Sequence, residues 1–85
     1  MVKKKRKNGR QRVGCYRNCQ EHRITAGLEI SDLVAILGQG GPKERTLRRL
    51  EQGGSIRLAS AYKVFHALNN RLGTKFEANE EIEEK

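Results

Sequence analysis

Residues 37–54, "LGQGGPKERTLRRLEQGG", decide how this chain is read. Glycines crowd both ends, and the chain's only proline, Pro42, stands directly before a basic run that stops at Gly53 and Gly54. Glycine tolerates the positive φ that closes a helix, and proline presets φ at about −65° for the first position of the next one. The stretch therefore predicts a turn joining two helices. In "PKERTLRRLEQGG" Leu47 and Leu50 face inward with Thr46 beside them, while Lys43, Glu44, Arg45, Arg48, Arg49 and Gln52 spread over the remaining surface.

Working outward, "LEISDLVAILG" sets Ile30, Leu33, Val34 and Leu37 on one helical face, closed by Gly38. Before it, "VGCYRNCQEHRITA", residues 13–26, puts Cys15, Cys19, Arg23 and Ala26 at helical spacing with Gly27 as the C-terminal cap. Downstream, Leu58, Ala61, Tyr62, Phe65 and Leu68 repeat at helical intervals, with Ser55 as a candidate cap ahead of them. Beyond Asn69 the periodicity fades: "TKFEA" reads as a short strand, and "NEEIEEK" as either an acidic frayed helix or a disordered tail. The expected fold class is all-α, a compact four- to five-helix domain over residues 13–72. A basic arm (1–12) and an acidic tail (73–85) flank it.

Charge narrows the partners. The 85 residues carry a net charge of +8. Seven basic groups, Lys3, Lys4, Lys5, Arg6, Lys7, Arg10 and Arg12, fall in residues 1–12 with no acid among them. Such an excess favours a polyanion such as nucleic acid or an acidic membrane surface. The arm "MVKKKRKNGRQR" has too little apolar surface to offset the entropy of ordering it, so alone it is expected to be disordered. It lacks the apolar stretch of a secretory signal, and no segment approaches the roughly 20 apolar residues of a membrane span. Two cysteines without a disulfide framework point to a reducing, cytoplasmic setting.

Two short helices joined by a glycine-containing turn, the second basic on its outer face, match the way a helix-turn-helix enters a major groove. Over roughly residues 19–68 the chain resembles the phage repressor, Cro and Xre (lambda-repressor-like) family of helix-turn-helix proteins. "RITAGLEISDLVAILG", "TLRRLEQG" and the spacing of "RLASAYKVFHAL" carry the likeness. The resemblance implies a sequence-specific duplex DNA-binding transcriptional regulator, commonly a repressor. It also implies a largely buried structural ion pair between Arg23 and Glu51.

Base contacts implied by the family pattern fall on Glu44, Arg45 and Arg49. Arginine donates bidentately to guanine O6 and N7, and glutamate accepts from cytosine N4. Lys43, Thr46 and Arg48 then fall near phosphates, with Lys3, Lys4, Lys5, Arg6 and Lys7 following the backbone or a groove. Three departures stand out. The turn is longer by about three residues (Gln39, Gly40, Gly41), Val34 replaces a usual alanine, and Ile30 stands where a glutamine usually clamps a phosphate, so that contact is either absent or supplied by Ser31.

Cys15, Cys19 and His22 form C-x3-C-x2-H, with His66 elsewhere, and thiolate and imidazole are zinc ligands. Both cysteines are expected on one continuous helix face, which does not suit a zinc knuckle, so they are read as packing residues and no metal or other cofactor is expected. No nucleophile triad, carboxylate pair or phosphate loop is present; "GQGG" lacks the strand before it and the Lys-Ser/Thr after it, so an enzyme is not expected. A homodimer on a two-fold operator follows from the resemblance, with "GTKFEANEEIEEK" as the candidate pairing segment. Two rival readings remain. One is an antitoxin or other partner-binding protein of the same fold, docking a protein partner through its C-terminal tail. The other is a non-specific nucleic-acid-binding protein, although four Tyr and Phe in all offer little for stacking single strands.

Overall fold

Val13–Tyr16 form a strand, β1, at the centre of a three-stranded antiparallel sheet. The computed structural model describes residues 12–85, so Lys3, Lys4, Lys5, Arg6 and Lys7 lie outside the described residues. Strand β2 (Ile56–Arg57) pairs with one edge of β1 and strand β3 (Ile82–Glu84) with the other. The all-α expectation is thereby overturned: the fold is mixed, with helices packed on a small sheet.

The helical reading of residues 13–18 rested on the four-residue spacing of Cys15 and Cys19. Cys15 instead lies in β1, and only Cys19 opens a helix, α1 (Cys19–Thr25). Valine and tyrosine suit a pleated, half-buried surface. On the inner face of the sheet Tyr16, Ile56 and Ile82 are all buried, and Tyr16 meets Phe65 edge-to-face at 5.7 Å. Glycine is required at position 14. A Cβ there would stand 2.7 Å from Leu58 Cδ1 and 2.9 Å from the Glu83 carbonyl.

After Gly27, which takes φ +75°, Glu29 begins helix α2 (Ile30–Leu37) in a capping box with Asp32. Gly38 and Gly40 adopt positive φ, and helix α3 (Glu44–Glu51) follows Pro42. The long helix α4 (Leu58–Leu72) runs a turn past the expected end at Leu68 and stops at left-handed Gly73. Leu33 of α2, Leu47 and Leu50 of α3, and Ala61, Phe65 and Leu68 of α4 meet in one core at 1% exposure or less.

The strand expected in "TKFEA" does not form: residues 74–77 carry no regular structure. The Asn69 side chain holds them instead, its Oδ1 accepting from Thr74 Oγ1 (2.5 Å) and from the Phe76 amide (3.2 Å). One turn of helix, α5 (Ala78–Glu81), then turns the chain into β3. The acidic segment is zippered to the basic rim of β1. Arg12 donates twice to Glu84 at 2.6 Å, Arg17 pairs with Glu83 at 3.2 Å, and Asn18 donates to Glu81 at 2.9 Å. Residues 82–84, expected in a tail that could pair two copies, thus complete a sheet within their own chain. No helix among the described residues is long and apolar enough to cross a membrane.

Candidate nucleic-acid interface

The direction in which α3 points is fixed first by its inner side, where Leu47 and Leu50 are buried. It is fixed again at its C-terminal end. Arg23 of α1 donates from Nε to Glu51 Oε2 at 2.5 Å and from Nη2 to Oε1 at 3.2 Å, while its Nη1 reaches the Leu28 carbonyl at 2.8 Å. One guanidinium therefore joins α1, the loop before α2 and the end of α3. The hydrogen bond to Glu51 raises the Arg23 pKa against the opposing effect of burial. The ion pair implied by the family resemblance is present. It also gives Glu51 a cation at a helix terminus where the backbone dipole disfavours an anion.

With that side sealed, the outer side of α3 presents Glu44, Arg45, Arg48, Arg49 and Gln52 along a shallow open groove, all five exposed. Their spacing puts them on one stripe of a helix roughly 12 Å long. Glu44 and Arg48 are joined at 2.6 Å across one turn. Arg45 and Arg49 have no ion-pair partner among the described residues.

Arg49 also borders a second groove, between α3, the turn before it and the start of α4. Lys43 and Arg57 supply its other cations, and Thr46, Ser55 and Ser60 supply hydroxyls. A Cβ on Gly54 would stand 2.8 Å from Arg49 Cγ, so glycine there lets the backbone lie against the arginine stem. Sequence reasoning gives Arg57 and Ser60 no role and marks Ser55 only as a helix cap, whereas the residue before α4 is Arg57 and no side chain caps the helix. The signal for Arg57 is the alternation in "SIR": Ile56 is buried in the sheet, so Arg57 beside it points outward. A two-residue strand is too short for that alternation to register.

Ser31 fares differently from the other phosphate candidates. It is exposed, but it stands between Glu29 and Asp32, whose carboxylates cap the start of α2, and their like charge repels a phosphate. The expected sharing of one helix face by Cys15 and Cys19 is also overturned. Cys15 lies in β1, and Cys19 is wholly buried at the start of α1, where burial pushes its thiol pKa up to about 12. His22 is engaged by the Tyr16 hydroxyl, 2.6 Å from its Nδ1, and stacks on Phe76 at 4.8 Å.

Comparison with models of known families, with curated proteins and with solved structures finds no match.

Proposed function

We propose that this chain is a sequence-specific duplex DNA-binding regulator of the phage repressor, Cro and Xre type, with the outer side of α3 in the major groove. The observation that carries this reading is the exposed stripe Glu44, Arg45, Arg48, Arg49 and Gln52 on a helix whose opposite side is locked into the core. Guanidinium groups carried by a helix that the core holds in place can meet base edges in a fixed register.

The adjoining groove supports the reading by placing Lys43 and Arg57 with three hydroxyls beside Arg49, a set suited to a phosphodiester strand next to the base-reading stripe. Lys3, Lys4, Lys5, Arg6 and Lys7 would add contacts that do not depend on sequence. The protein acts in a reducing cytoplasm, in keeping with its two free thiols, and binds as a homodimer on a two-fold site.

Selection of binding sites from a random duplex pool at physiological salt tests the proposal. Enrichment of one palindromic sequence containing G·C pairs is expected. A pool that stays random while binding falls steeply with salt would replace this reading with non-specific coating of nucleic acid.

A further inference from the structure

The Glu44–Arg48 pair on the outer stripe is asymmetric at the level of atoms. Arg48 Nε at 3.0 Å and Nη2 at 2.6 Å both donate to the same carboxylate oxygen, Oε2. The carboxylate thus occupies the Nε side of the guanidinium. Nη1 and the second hydrogen of Nη2 remain at the far end, and no acceptor among the described residues takes them. Two parallel donors at the end of an arginine match guanine O6 and N7.

Both side chains are more than half exposed, and an exposed pair one helical turn apart adds little to stability. Its consequence lies in what it does to Arg48. A long side chain loses rotamer freedom when it binds, and a carboxylate that already holds it in one orientation reduces that loss.

We propose that Arg48 reads a guanine through Nη1 and Nη2, and that Glu44 is the positioning residue that presents it. This moves Arg48 from the phosphates to the bases, and it rests on the DNA-reading function proposed above. Simple electrostatics makes the opposite forecast for Glu44. A carboxylate facing DNA repels it, so removing the charge would strengthen binding to every sequence alike.

The test uses the full chain at one fixed salt concentration. A duplex selected by the wild-type protein is varied through all four bases at each pair, and binding is compared for wild type, Glu44→Gln, Arg48→Ala and the double variant. Arg48→Ala is expected to reduce the preference for guanine at one pair by about tenfold. Glu44→Gln is expected to lose about twofold of the same preference at the same pair while binding random duplex as well as wild type or better. The double variant should be no worse than Arg48→Ala, as for residues acting as a unit. Unaltered preferences in Glu44→Gln, with all sequences bound more tightly, would overturn the proposal and leave DNA reading intact, as would an equal loss on all sequences in Arg48→Ala. Failure of the wild-type chain to select any sequence would overturn DNA reading and this unit with it.

Discussion

Arg23 and Glu51, 28 residues apart in sequence, face each other through two hydrogen bonds with their side chains only 14% and 7% exposed. Removing one partner strands the other charge in the interior, which costs about 3–5 kcal/mol. Glu51→Ala is therefore expected to lower the melting temperature by at least about 10 °C, followed by circular dichroism. Replacing both residues by apolar ones of similar size should recover much of the loss, because the desolvation of both charges disappears together. An unchanged melting temperature in Glu51→Ala would show that the pair does not anchor α3.

Gly14 lies in β1 against Leu58, the first residue of α4, and against the β3 backbone. A methyl group there meets both Leu58 Cδ1 and the backbone oxygen of Glu83, and backbone cannot swing aside. Gly14→Ala should destabilise the fold by about 1–3 kcal/mol, read from the urea midpoint. The loss should shrink when Leu58 is trimmed to valine in the same chain, since part of the clash is with its side chain.

Stability should fall at alkaline pH, and Cys19 gives the sign. Burial raises its thiol pKa from 9.0 to about 12, so the folded chain keeps the proton where the unfolded chain releases it. Its contribution is whole below about pH 9 and is lost as pH rises toward 12, at about 1.4 kcal/mol for each unit in between. Buried Tyr16, whose pKa is raised chiefly by burial, acts in the same direction at higher pH. Cys19→Ala should show a shallower fall of the urea midpoint between pH 9 and 10.5 than wild type. Parallel curves would remove Cys19 as a source of the slope.

How much of this was legible in the sequence depended on the range of the signal. Helix α2 sits on the residues its periodicity marks, and α3 lies inside the run between Pro42 and Gly53, because Gly38, Pro42 and Gly53 are local punctuation. Helix α4 runs past Leu68 because Leu72, four residues on, extends the same apolar spacing and left-handed Gly73 supplies the stop. The sheet was invisible. Its strands have four, two and three residues, and β3 pairs with a partner nearly 70 positions away, so no local period records it. The exposed stripe on α3 was legible from Leu47 and Leu50 alone. The groove beside it was not, because Arg57 reaches it through a strand pairing.

Contacts in that groove should differ in kind from those on the stripe. Arg57→Ala and Lys43→Ala are expected to weaken binding to selected and random duplexes equally, and each should reduce the slope of log affinity against log salt by about one. Salt titrations on both duplexes check this. A loss confined to the selected duplex would move either residue to the bases.

The most direct measurement on the central claim is the affinity of Arg49→Ala and Arg45→Ala for the selected duplex and for a random duplex of equal length at the same salt. Each variant should lose about 1–3 kcal/mol on the selected duplex and much less on the random one, with preference relaxed at one base pair. Equal losses on both duplexes would contradict base reading by the outer side of α3.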